Sequence, residues 1–318
     1  MILIRICLVP KCLKIIKVKK TLVVLAGPTA VGKTASGIKV ARHFGTEIIS
    51  ADSRQIYRET SIGTAVPSVR ELASVKHRFI QTISLAERYN ASIYEHQVLA
   101  CLYQLFEKHN IVCMVGGSGL YINAVCEGID DLPTTDPALR VRLLERFNKE
   151  GLESLIAELK KLDPVSHQRI DLKNHMRVLK ALEISIQTGK PYSSFLSDTK
   201  KERPFQIIRI AMDMDREKLY DRINRRVDQM MDDGLLEEVR QLQHMKDYTA
   251  MKTVGYRELF QYLDGEVPLE EAVDLIKRHT RKFARKQLTW FRKDNQYRWF
   301  SPEDHHLIIE WIEKQLLV

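Results

Sequence analysis

The chain is poor in cysteine, with five in 318 residues, and none stands in a C-x-x-C pair or at a Cys/His spacing that would hold zinc. Cys7, Cys12, Cys101, Cys113 and Cys126 are odd in number and scattered through apolar segments, so they read as reduced thiols of a cytoplasmic protein. Apolar runs are short. None approaches the roughly 18 residues of a membrane span, which excludes a helical membrane protein. Internal repeats and low-complexity tracts are also missing. With 14 Gly, 10 Pro, 44% hydrophobic and 29% charged residues the composition is that of a globular chain, not a collagen-like or disordered one. This length suits two domains, or one large domain carrying an insertion.

The formal net charge is +9. Six of those charges come from Arg5, Lys11, Lys14, Lys17, Lys19 and Lys20, in a stretch without acids. Residues 1–20 read as a disordered basic arm, or as the product of a start codon placed too early, because their apolar run is too short for an export signal and no small-residue cleavage site follows. The remainder is only mildly basic, so a polyanionic partner is admitted without being demanded.

Thr21–Ala26 is an apolar run closed by Gly27, as a buried parallel strand would be. A helix fits 33–44, a strand 47–51, a helix 92–109 with Ser92 as its cap, and a strand 111–115. Such alternation predicts an α/β fold with helices on both faces of a parallel sheet. From 128 the texture changes to a proline-marked link and then helical patterns at 138–149, Leu152–Leu162, 174–188 and 192–197. A strand returns at 205–214, followed by helices at 216–233, 235–245, Tyr256–Leu263 and Leu269–Arg292 and a strand at 297–300. The expected organisation is a P-loop NTPase-like core, 21–127 and 203–318, interrupted by an all-helical insertion, 128–202.

Gly27-Pro28-Thr29-Ala30-Val31-Gly32-Lys33-Thr34 matches G-x-x-x-x-G-K-[ST] between a strand and a helix. Small residues let successive backbone N–H groups turn around phosphate oxygens at the positive end of a helix dipole. Lys33 adds a point charge, and the Thr34 hydroxyl suits Mg²⁺. The loop specifies a bound di- or triphosphate and leaves the reaction open. The third strand ends in Val115-Gly116-Gly117-Ser118 with no Walker B acid, and N-K-x-D is absent. Both facts disfavour a kinase, hydrolase or GTPase, and admit a pyrophosphate that departs as leaving group. Asp52 follows strand two at the ligand-bearing edge of the sheet. By itself it reads equally as a helix cap, a magnesium-shell ligand or a base.

Seven stretches in order carry a resemblance: GPTAVGKT (27–34), ISADSRQIY (49–57), IGTAVP (62–67), VGGSGLYINA (115–124), NHMRVLKALE (174–183), VGYRE (254–258) and RKQLTWFRK (285–293). Together they resemble the tRNA dimethylallyltransferases, also called tRNA isopentenyltransferases, in their bacterial form, over about 27–293. The resemblance implies transfer of a dimethylallyl group from its diphosphate to N6 of adenosine 37, beside the anticodon, by a cytoplasmic monomer using Mg²⁺. The P-loop and Lys33 then stabilise the departing diphosphate, and Asp52 takes the proton of a weakly basic amine. Ser118, where threonine is usual, is implied to contact the adenosine. An arginine of 216–233, either Arg222 or Arg226, is implied at the diphosphate, a bidentate role suited to guanidinium.

The tRNA set implied is Asp52, Ser53, Arg54, Gln55, Ser118, Arg140, Met176, Arg177, Val178, Leu179 and Lys180. To these are added Lys252, Tyr256, Arg257, Arg285, Lys286, Gln287, Trp290 and Arg292, several of them on a basic stripe at three- and four-residue spacing. Trp290 reads either as core or as a base-stacking platform. Prenyl transfer to free AMP, ADP or ATP is a competing activity, disfavoured by the insertion and the basic helix, which a nucleotide does not need. A non-catalytic RNA-binding module is the alternative outside enzymes.

Overall fold

The computed structural model describes residues 19–197 and 199–317. The basic arm, with Cys7 and Cys12, lies almost wholly outside them. The elements in chain order begin with β1 (Thr21–Ala26), α1 (Lys33–His43), β2 (Ile48–Ala51), α2 (Val69–Ser74), β3 (His77–Arg78), α3 (Ala91–Lys108), β4 (Ile111–Gly116) and α4 (Gly119–Glu127). The helices α5 (Pro137–Glu150), α6 (Leu152–Leu162), α7 (Pro164–Arg169) and α8 (His175–Thr188) come next. The chain continues with β5 (Gln206–Met212), α9 (Arg216–Asp232), α10 (Leu235–Gln241), α11 (Tyr256–Leu263), α12 (Leu269–Arg292), β6 (Arg298–Phe300) and α13 (His305–Leu316).

Two compact units result. The first comprises 19–88, Val98–Ile122 and 204–317 and holds a six-stranded sheet in the order β3-β2-β4-β1-β5-β6, every pair parallel. β1 is buried at every position because it lies mid-sheet with both faces covered, which is why its sequence is apolar without alternation. One face packs Val23, Leu25, Ile208 and Ile210 against Val40 and Ala41 of α1, Leu219 and Ile223 of α9, Ala284 of α12 and Ile308 and Ile312 of α13. The register brings four strand ends level: Ala26 lies opposite both Gly116 and Ala211, and Ala51 opposite Gly116. The P-loop, Asp52 and Gly117-Ser118 all emerge at that level.

The second unit, Tyr89–Gln97 and Asn123–Arg203, closes its own core around Leu139, Leu143, Leu155, Leu159, Val178, Leu179 and Leu182. The buried carboxylate of Asp163 stitches it, accepting the backbone N–H and hydroxyl of both Ser166 and Ser193. The cap of α3 differs from the sequence expectation. Asn90 Oδ1 accepts the Ile93 N–H, while Ser92, one residue inside the helix, turns its hydroxyl to Asp131.

Candidate active site

A cavity of about 490 Å³ opens over the level strand ends of the first unit, lined by the P-loop, Asp52, Gln55, Thr64, Ala65, Arg222, Arg225, Arg226, Phe283 and Gln287. Its floor is built by conformational choice. Gly32 holds φ +106 as the cap residue of α1, where a side chain would be strained, and it supplies no side-chain cap. α1 has no acid in its first turn either. Its opening N–H groups are therefore left for an anion, reinforced by the helix dipole. Lys33 donates to the Pro28 carbonyl at 2.6 Å. Burial holds its pKa down at about 7, with Arg226 adding to the effect and Asp52 opposing it. Burial also lowers the pKa of Arg226, again against the pull of Asp52. Such crowded, desolvated cations are a site short of negative charge.

Arg226 reaches Thr29 Oγ1 at 3.4 Å, and Arg222 and Arg225 line the same cavity. The choice between Arg222 and Arg226 therefore widens to three guanidinium groups, one of them, Arg225, not singled out in the sequence. Thr34 lines the cavity beside Lys33, and Val31 is fully buried beneath it.

Asp52 is held by a local turn. Its Oδ1 accepts the Arg54 N–H at 2.9 Å and the Gln55 N–H at 3.4 Å, so its orientation is fixed by its own chain. The Ser118 hydroxyl accepts the Ser53 N–H at 2.9 Å and donates to Ser53 Oγ at 3.1 Å, joining the loops after β2 and β4.

Gln287 and Tyr256 are both buried. Gln287 is buried and bridges two loops, its Oε1 accepting the Thr29 N–H at 2.8 Å and its Nε2 donating to the Gly117 carbonyl at 2.9 Å. Gln287→Leu leaves both groups without a partner. It is expected to destabilise the protein by about 2–4 kcal/mol, read from denaturant unfolding. Tyr256 is fully buried, with its hydroxyl on Glu238 at 2.6 Å.

Around these, Lys252, Arg257, Arg285, Lys286 and Arg292 are exposed, as expected. Arg257 is engaged by Glu258 and His279, and Arg292 pairs with Asp213 at 2.6 Å. Trp290 is 41% exposed and packs so closely on Gly119 that a Cβ there would come within 2.3 Å of its ring nitrogen. It thus packs on Gly119 and keeps part of its ring exposed.

Within the helical unit, Met176 and Arg177 are exposed. Val178 and Leu179 are fully buried in its core, so their side chains serve packing and offer no surface to a partner. Arg140 bonds the buried Glu183 at 2.5 Å, and burial depresses the pKa of half-buried Lys180 beside them. Arg140→Ala strands that carboxylate. A loss of about 2–3 kcal/mol in urea unfolding is expected, discounted from a fully buried pair because Arg140 keeps some exposure.

Comparison with known proteins finds relatives of this chain. A family model described as IPP transferase matches residues 55–294. The tRNA dimethylallyltransferase 1 of Bacteroides fragilis is 50% identical over 93% of this chain and 99% of its own length. Among solved structures, the tRNA isopentenylpyrophosphate transferase of Bacillus halodurans is 36% identical, with a TM-score of 0.68 over 94% of this chain and 97% of that one. A eukaryotic dimethylallyltransferase described as acting on tRNA is 25% identical, with a TM-score of 0.71 over 85% of this chain and 69% of that one. The parallel sheet, the anion-receptive loop and the strand-end carboxylate thus stand in a chain that belongs to the IPP transferase family.

Proposed function

We propose that this protein transfers a dimethylallyl group from dimethylallyl diphosphate to N6 of adenosine 37 in tRNA, releasing diphosphate. The observation that carries the reading is the opening of Lys33, the α9 arginines and the Asp52 carboxylate onto one cavity. As the allylic C–O bond breaks, its electron pair leaves with the diphosphate, whose charge meets the N–H groups of α1, Lys33, Arg222 and Arg226. The N6 lone pair forms the new C–N bond, and the N6 proton passes to Asp52. The cavity offers the Thr34 hydroxyl among its oxygen donors, a hard-ligand chemistry that fits Mg²⁺. Mg²⁺ held at Thr34 with the diphosphate would supply further charge neutralisation.

An adenine cannot meet Asp52 while stacked, so the base must be extruded from the anticodon loop. The exposed cations Arg177, Arg285, Lys286 and Lys252 suit its flanking phosphates, and the exposed face of Trp290 suits a base. The helical unit is proposed to contact tRNA through its exposed Met176–Arg177 end, with the chain acting as a cytoplasmic monomer.

The test is incubation of unmodified tRNA with protein, Mg²⁺ and dimethylallyl diphosphate, followed by mass analysis of the nucleosides. Prenylated adenosine at position 37 is expected. Product on free AMP but not on tRNA, or phosphoryl transfer when ATP replaces the prenyl donor, overturns the reading.

A further inference from the structure

Glu238, on α10, was not singled out by any sequence motif and does not line the cavity. Its carboxylate is nevertheless the most heavily engaged near it. Oε2 accepts the backbone N–H groups of Ser61 at 3.0 Å and Ile62 at 2.8 Å. Oε1 accepts the Gly63 N–H at 3.0 Å and the Tyr256 hydroxyl at 2.6 Å. Three consecutive amides converging on one carboxylate form a nest, and charge-assisted bonds of this kind are roughly twice as strong as neutral ones. The fully buried Tyr256 ring presses on the same segment. A Cβ on Gly63 would come within 2.6 Å of it, so residue 63 must be glycine.

What the nest holds in place faces the site. The segment turns back through Ala65, in the left-handed region at φ +51, with Ala65 N–H on the Ile62 carbonyl at 2.9 Å. The Thr64 and Ala65 carbonyls then meet Gln55, whose Nε2 donates to them at 3.2 Å and 2.8 Å. Thr64, Ala65 and Gln55 all line the cavity with Asp52, and the Gln55 N–H is one of the two donors that orient the Asp52 carboxylate. The chain of contacts runs from Glu238 through the 61–65 segment to Gln55 and then to Asp52. Glu238 makes none of these bonds to the P-loop or to the α9 arginines that line the same cavity.

We infer that Glu238, braced by Tyr256, is a positioning residue that holds the acceptor-side wall of the prenyl-transfer cavity closed around Asp52, so that the allylic carbon meets the amine and not water. The inference rests on the proposed reaction. The competing step it suppresses is hydrolysis, in which a water oxygen bonds to the allylic carbon as the C–O bond to diphosphate breaks. That step yields the prenyl alcohol, diphosphate and a proton released to solvent.

The measurable signature is the partition of consumed dimethylallyl diphosphate between prenyl alcohol and prenylated tRNA. A mere loss of folded protein lowers both products together and leaves that ratio unchanged. Glu238→Gln replaces one acceptor oxygen by an NH₂ that opposes the backbone donors. It is expected to raise the alcohol-to-prenyl-tRNA ratio about tenfold through a loosened acceptor wall, with the KM for dimethylallyl diphosphate within about twofold of wild type because the P-loop is untouched. Tyr256→Phe removes one of the four donors and keeps the three amides. It should move the ratio in the same direction by a smaller factor, and it carries the test alone if the glutamine variant does not fold. A wild-type ratio in the folded variants, or a KM for the donor that rises in step with the loss of transfer, overturns the inference. Wild-type protein that prenylates no tRNA at all overturns the proposed reaction itself, which separates the two failures.

Discussion

Asp52→Ala is expected to lower the rate of prenyl transfer by about 10³-fold, the middle of the range for loss of a positioned general base, while tRNA affinity stays within about twofold. Backbone binding rests on a distributed set of exposed cations to which Asp52, an acid, contributes no positive charge, so affinity has little reason to fall. The turn it caps complicates the alanine variant. Its Oδ1 holds the Arg54 and Gln55 N–H groups, and alanine releases both. Asp52→Asn resolves this, because an amide oxygen accepts the same two hydrogen bonds yet takes no proton. A comparable loss in Asn and Ala variants, measured by single-turnover formation of prenylated tRNA, assigns the effect to proton removal. Near-wild-type transfer in the Asn variant assigns it to the turn. Removing the carboxylate also removes the attraction that supports the charged forms of Lys33 and Arg226, so pyrophosphate affinity should be recorded beside the rate.

Lys33→Met is expected to reduce transfer by about 10²–10³-fold, the scale for losing one preorganised donor to a developing anion. The same residue carries a pH signature. Without a ligand its pKa is lowered by burial to about 7, against 10.5 for an ordinary lysine. Between those values the folded protein has released a proton that the unfolded chain retains. Stability of the ligand-free protein therefore rises with pH across that window and loses this contribution as pH falls through 7. A bound diphosphate reverses the cause, since an adjacent anion favours the ammonium. Pyrophosphate binding at pH 8 should accordingly take up close to one proton, read as a buffer-dependent heat in calorimetry. Lys33→Met should abolish that uptake. Uptake unchanged in the variant would place the titrating group elsewhere.

The parts of this protein legible in its sequence are those where one local rule acts alone. β1 is apolar throughout because it is mid-sheet, and the P-loop shows its glycines because their backbone torsions exclude other residues. Asp52 was visible as the acid just beyond a short apolar strand. Elements too short for a period to register were not seen, among them the two-residue β3 and the six-residue α2. α4 was hidden because its first turn is written in the glycine-rich Gly119-Leu120-Tyr121.

The larger gap concerns which way a side chain faces. Gln287 and Tyr256 sit in motifs that resemble tRNA-contacting segments, yet tertiary packing turns both inward, one to join the P-loop to Gly117 and the other to brace Glu238. Val178 and Leu179 adjoin exposed Met176 and Arg177 on α8 and are nonetheless core, because successive helical residues point about 100° apart. Glu238 gave no signal at all. Its partners lie 18 and about 176 residues away, and only the closed fold brings them to one carboxylate.

The most direct test of the whole account is a structure of the protein with an anticodon stem-loop and a non-ionising analogue of dimethylallyl diphosphate. The account predicts diphosphate oxygens within hydrogen-bond distance of Lys33, Arg226 and the opening N–H groups of α1, with the flipped adenine N6 against Asp52 on the other side of the prenyl carbon. A diphosphate bound away from the P-loop, or an adenine whose N6 faces any group other than Asp52, contradicts it.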